Sequence, residues 1–312
     1  MKKLISALLS LSVLTAASAA NVFADYTGYV PTLYFRANSS EGVKVYNDGN
    51  AAIFRSELAE NGNAVVNASV YIDDESLSCW NVHPVWKCNS EYAILENLID
   101  PLPMSDDAPN IAYAYAELNS EGGFDHIRHS TILSSDSEYN TMSFMCQVSS
   151  MTDRSAMKPY GEKSDSYPLT WFDVNISEDA PSADYTVYFL VEHEDYADQR
   201  MADVAMRTDA GSVVVTPEIR PLTITVTDRR FGDVTGDGKV DANDASAILV
   251  AYSLSSTGRD HGLTNEALRC GDTDLNSQLN SADASNVLAY YSYLSTSTES
   301  KTLTQFMADK NK

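Results

Sequence analysis

Two stretches of this chain carry oxygen-bearing side chains at a spacing that suits a hard divalent cation. They are GDVTGDGKVDANDAS at 232–246 and GDTDLNSQLNSADAS at 271–285, and they match position for position at an offset of 39 residues (232 to 271). A calcium-type loop takes its oxygens from positions 1, 3, 5, 7 (a backbone carbonyl), 9 and 12, and turns sharply at position 6. In the first stretch those positions hold Asp233, Thr235, Asp237, the carbonyl of Lys239, Asp241 and Asp244, with Gly238 at the turn. In the second they hold Asp272, Asp274, Asn276, the carbonyl of Gln278, Asn280 and Asp283, with Ser277 at the turn. Two Ca2+ ions, one per loop, are expected. Thr235 offers a single neutral oxygen and weakens the first site. Ser277 has to adopt φ > 0, an uncommon conformation outside glycine.

A solvated acidic loop would explain either stretch alone. Two in register, each running into the same apolar stripe, argue for a repeated unit. The stripe is Ala245, Ile248, Leu249 and Tyr252 in one copy and Ala284, Val287, Leu288 and Tyr291 in the other. That i, i+3, i+4, i+7 spacing predicts two helices, each with one apolar face, packed on each other. Residues Thr225 to Phe231 read as the end of a strand, so the first loop has only an exiting helix.

Duplicated loop-helix units of this kind resemble a dockerin module, the calcium-dependent plug of cellulosomes, the plant-cell-wall-degrading complexes of anaerobic bacteria. The resemblance covers about 231–295 and implies an all-α module that docks on a cohesin of a larger scaffoldin. It also implies contact residues just before and inside each helix. These are Ala242, Asn243, Val250 and Ala251 in the first copy, and Ser281, Ala282, Ala289 and Tyr290 in the second. The copies differ at these positions, so the two halves are not expected to serve equally. Residues 296–312 read as a polar tail.

At the other end, Lys2 and Lys3, the mostly apolar run from Leu4 to Ala17, and a small-residue cleavage site read as a secretory signal over 1–24. No second run of that kind follows, so the mature protein is expected to be secreted, without a membrane span. The net charge of −23 disfavours nucleic acid and anionic membranes as partners. An apolar fraction of 44% is that of a folded protein. Cys79, Cys88, Cys146 and Cys270 are too few for a disulfide scaffold and form no C-x-x-C pair. A Cys79–Cys88 bridge and buried free thiols both remain open.

Residues 26–228 have a period of two. Val66/Ala68/Val70/Ile72, Trp80/Val82/Trp86/Cys88, Ile111/Tyr113/Tyr115, Met142/Phe144/Cys146/Val148, Phe172/Val174/Ile176, Tyr185/Val187/Phe189/Val191 and Leu222/Ile224/Val226 each share one side of a strand. Only 54–60 and 91–99 suit a helical turn. Many half-buried strands between polar turns predict an all-β antiparallel sandwich. No catalytic motif stands out. Asp73, Asp74 and Glu75, or Glu192, Glu194 and Asp195, would supply a glycosidase pair, but they read as solvated turns of an acidic chain. Trp80, Trp86 and Trp171 suit a sugar platform less well than a core.

The segment Trp171 to Val191, with Val65–Ile72 and Pro221–Val226, resembles the strands and acidic turn of a cohesin, the receptor that dockerins plug into. Ala183 stands where that family often has glycine, and 26–228 is long for a cohesin. The two resemblances together imply a non-catalytic adaptor scaffoldin that receives dockerin-bearing enzymes and itself docks on a larger scaffoldin. The alternative keeps the dockerin and makes 26–228 a cargo, either a module that binds plant polysaccharide or an enzyme that degrades it.

Overall fold

The structure is a computed structural model, and it describes residues 28–40, 42–58, 64–73, 79–82, 84–99, 126–136, 140–150, 168–190, 204–208 and 211–310. Fifteen strands are found among them. They are β1 (Thr32–Ala37), β2 (Val43–Val45), β3 (Ala51–Phe54), β4 (Ala64–Asp73), β5 (Cys79–Val82), β6 (Val85–Cys88), β7 (Ala93–Ile99) and β8 (His126–Asp136), followed by β9 (Thr141–Ser150), β10 (Thr170–Ile176), β11 (Ala183–Phe189), β12 (Val204–Thr208), β13 (Gly211–Val215), β14 (Glu218–Arg220) and β15 (Leu222–Thr227). One sheet runs β14-β1-β4-β10-β7. The other runs β13-β12-β5-β9-β6-β11-β15-β3-β2, with β8 also paired to β9.

By compactness the chain divides into two units. The first comprises Met1–Phe35, Ala68–Asp173 and Val187–Pro221. Its core is aromatic. Phe35 stacks on Phe189 with ring centroids 4.1 Å apart and meets Phe172 edge-on at 5.8 Å. Trp86 closes the cluster 5.3 Å from Phe172 and is fully buried. Phe35 and Phe172 come from the five-stranded sheet, and Trp86 and Phe189 from the other. The two sheets therefore face each other as a β-sandwich, which the alternation of buried residues along β10 requires.

Two sequence expectations need correcting, and one open alternative is decided. The sandwich is not wholly antiparallel: β1 pairs parallel with β14, and β3 pairs parallel with β15. Those partners lie far apart in sequence, so no hairpin turn fixes their direction. Residues 91–99 contain strand β7 rather than a helical turn. There the side chain of Asn140 accepts from Leu95 N at 2.8 Å and donates to Ala93 O at 2.6 Å, which holds the segment extended. Cys88 is a free, buried thiol, so no Cys79–Cys88 bridge forms. Of the anticipated strands, Ile111/Tyr113/Tyr115 lies outside the described residues, as do the segments 1–24 and 191–203.

The second unit comprises Arg36–Asn67, Val174–Thr186 and Leu222–Lys312. It holds β2, β3 and β15, a short 3-10 turn at Arg55–Glu57 and four α-helices. The helices are α1 (Ala242–Ser256), α2 (Asn265–Gly271), α3 (Ser281–Thr296) and α4 (Leu303–Lys310). Helices α2 and α4 are additions to the sequence reading, and α4 lies in the segment read as a polar tail. Helix α1 packs on α3. Their buried faces share one core with Tyr46, Phe54 and Phe231. The β2–β3 hairpin is thus part of the core of the helical half. None of the helices among the described residues is long and apolar enough to cross a membrane.

Candidate metal centre and docking face

The two acidic loops fold alike. In each, position 12 closes the loop and starts the helix. Asp244 Oδ1 accepts from Thr235 N at 2.9 Å while its Oδ2 accepts from Asp241 N at 2.9 Å. Asp283 Oδ1 accepts from Thr273 N at 2.8 Å and its Oδ2 from Asn280 N at 2.9 Å. Asp241 and Asn280 complete reciprocal capping boxes at the starts of α1 and α3. Position 1 gathers the turn: Asp233 accepts from the amides of Gly236 at 2.7 Å and Gly238 at 2.8 Å. Asp272 does the same for Asn276 at 3.1 Å and Ser277 at 2.7 Å.

Ser277 takes φ = 66° where the matched Gly238 takes 81°. One position the sequence reading missed behaves likewise: Leu275 has φ = 61° where its counterpart Gly236 has 77°. A glycine in the first copy was the available signal.

The loops differ in how their acids converge. Among the described residues, one group of three acids brings ligand oxygens to within 4.8 Å of one another: Asp272, Asp274 and Asp283. Burial raises the Asp272 carboxyl to about 7, assisted by the neighbouring charges of Asp283 and Asp274. Asp283 is also raised, first by burial and then by Asp274. Three carboxylates crowded this way without a counter-ion repel one another, and a divalent cation removes the penalty. The donor set is all oxygen, as a hard cation requires. In the first loop Thr235 takes the place of a third acid, and its hydroxyl lies 3.0 Å from Asp244 Oδ1. Asp237 accepts from Lys239 N at 2.9 Å, and Asn276 Oδ1 accepts from Gln278 N at 2.8 Å, so position 5 shapes both turns.

The helix faces depart from the expected stripe. Ala245, Ile248 and Ala251 of α1 and Ala284, Val287 and Tyr290 of α3 point inward and are buried. Leu249 and Tyr252 are each 43% exposed, their counterparts Leu288 and Tyr291 are 44% and 43% exposed, and Val250 and Leu294 reach 59% and 42%. Of the expected contact residues, Ala242, Asn243, Val250, Ser281 and Ala282 lie in solvent and Ala289 is half-buried. Ala251 and Tyr290 do not belong to an open face. Helix α4 accounts for Tyr290, whose ring lies 5.7 Å from Phe306.

No family model matches this chain, and no curated protein matches it. Among solved structures it is similar to the seventh ScaB type I cohesin of Pseudobacteroides cellulosolvens, at 11% identity and a TM-score of 0.34, over 64% of this chain and 94% of that one. It is similar to the third ScaB cohesin of R. flavefaciens in complex with a group 1 dockerin, at 10% identity and a TM-score of 0.35, over 65% and 99%. A type II cohesin domain from the cellulosome of Acetivibrio cellulolyticus gives 11% identity and 0.32, over 63% and 95%. At scores of this size the superpositions assign no residue and no activity.

Proposed function

We propose that this chain is a non-catalytic, secreted adaptor of a cellulosome-type assembly. Its C-terminal half acts as a calcium-stabilised, dockerin-like plug that docks on a cohesin of a larger scaffoldin. Its sandwich acts as a cohesin-like receptor for dockerin-bearing enzymes. The observation that carries the reading is the two matched pairs of apolar residues left in solvent on the helices that follow the acidic loops, Leu249 with Tyr252 and Leu288 with Tyr291. Apolar side chains repeated at corresponding positions on the solvent face of packed helices are what a protein partner buries. Asp233, Asp237, Asp241 and Asp244 with Thr235 would hold one ion, and Asp272, Asp274, Asn276, Asn280 and Asp283 the other. The backbone carbonyls of Lys239 and Gln278 would complete each set. The ions supply no chemistry beyond neutralising the loops and fixing the starts of α1 and α3.

The test is capture of the mature chain on immobilised cohesins in calcium and in chelator. Retention in calcium that is lost in chelator supports the reading. Absence of retention on every cohesin of the source cell defeats it.

The second reading, carbohydrate binding by the sandwich, draws on Trp171. Its position on β10 leaves it half-buried, next to Asp173, which accepts from Asn97 at 2.9 Å. Trp86 contributes nothing to a sugar platform, because it is buried in the aromatic core.

A further inference from the structure

The second loop is gripped by a hairpin more than two hundred residues upstream. Asn47 N donates to Leu275 O at 3.0 Å, and Asp48 N donates to Ser277 Oγ at 2.8 Å. Leu275 and Ser277 are the two residues of that loop held at positive φ, so the hairpin tip fastens the loop where its backbone is least at ease. The same tip holds the helix that leads into the loop. Arg269 Nη2 of α2 donates to the Asp48 carboxylate at 2.7 Å, and Tyr46 Oη donates to Arg269 O at 2.6 Å. The Arg269 guanidinium also lies 4.6 Å from the centre of the Tyr46 ring. The tip itself is closed by Tyr46 N donating to Asn50 O at 2.9 Å and by Asn50 N donating to the Asp48 carboxylate at 3.0 Å. Among the described residues, no hydrogen bond runs from Val43–Phe54 to the first loop.

We propose that the β2–β3 hairpin and the ion of the second loop order each other. Filling Asp272–Asp283 fixes the carbonyl of Leu275 and the hydroxyl of Ser277, and these hold Asn47 and Asp48. In the other direction, the hairpin shapes the loop before the ion arrives. Binding linkage makes the two effects equal in size. The calcium plug is therefore one folding unit with the hairpin, and loss of that one ion loosens a segment of the β-structure. This inference rests on the calcium reading above.

The experiment uses the mature chain, with calcium uptake followed by titration calorimetry and backbone order by hydrogen exchange. Peptides covering residues 43–54 should exchange at least about tenfold more slowly with calcium than with chelator. Asp274→Ala, which touches only the second loop, should remove that protection, while Asp237→Ala in the first loop should leave it. Asp48→Ala should weaken one of two ion affinities by about five- to tenfold and leave the other unchanged. Two bound ions with unchanged exchange at 43–54 overturn the inference and leave the calcium reading standing. No calcium uptake at all overturns both. Protection that survives Asp274→Ala but not Asp237→Ala overturns the assignment to the second loop. If Asp48→Ala does not fold, the wild-type exchange comparison decides alone.

Discussion

Tyr290 donates its hydroxyl to the carbonyl of Lys301 at 2.6 Å, which ties helix α3 to the turn that leads into α4. Its ring is buried against Phe306 and stacks on Tyr293 at 6.4 Å. A residue placed this way supports the fold. Tyr290→Ala should cost about 3–5 kcal/mol of stability, as for other large-to-small aromatic changes in a core. Tyr290→Phe should cost about 1 kcal/mol for the lost hydrogen bond. Denaturant unfolding in saturating calcium measures both. Partner affinity at a temperature where each variant is folded should stay at the wild-type value.

The partner surface is predicted to lie on the residues that stay in solvent. Leu249→Asp or Tyr291→Asp places a charge on a face that must be desolvated to bind, and each should weaken cohesin binding by at least about tenfold. Both positions are more than 40% exposed, so the thermal midpoint of the unbound protein should stay within about 2 °C. Val250→Asp tests the rim of the same face. Loss of binding accompanied by a large loss of stability would mean the face is structural.

Calcium removal should act unequally on the two loops. The second brings three acids together, and the first has Thr235 at position 3. Calorimetry should resolve two sites, with the tighter one abolished by Asp274→Ala and the weaker by Asp237→Ala. Chelator should lower the helical circular dichroism of the whole chain, because the Asp244 and Asp283 caps no longer hold α1 and α3 against repelling carboxylates. A helical signal equal in chelator and in calcium would rule out this role for the ions.

The sequence made the loops legible because their chemistry is local. Ligand spacing and positive φ at Ser277 follow from residues within a dozen positions of one another. Periodicity alone could not decide which of the apolar helix positions face inward. Ile248 and Leu249 differ by one position on the helix, and their burial is decided by what packs against α1. The hairpin that supplies Tyr46 and Phe54 to that core is non-local, as are the parallel pairs β1–β14 and β3–β15. Helix α4 hides in a segment that reads as tail, because across 296–312 polar residues outnumber apolar ones. Leu303, buried beside Gly232 and Val240, anchors it nonetheless.

The sandwich is predicted to retain proteins and release no sugar. Its centre is filled by Phe35, Trp86, Phe172 and Phe189, so a partner would have to meet the outer faces of the sheets. A protein interface needs roughly 1,200–2,000 Å² of buried surface in total, and an outer sheet face of several strands supplies it without a cleft. A glycosidase instead needs two carboxylates about 5–9 Å apart on either side of a bond. The chain carrying both Leu249→Asp and Tyr291→Asp, which are expected to disable the proposed docking face, should still capture dockerin-bearing proteins. Incubated with plant polysaccharides, it should release no reducing sugar, and Trp171→Ala should not change its retention of dockerins. Sugar release that is lost on replacing one carboxylate would make the sandwich an enzyme. Retention of polysaccharide that depends on Trp171, without capture of dockerins, would make it a carbohydrate-binding module.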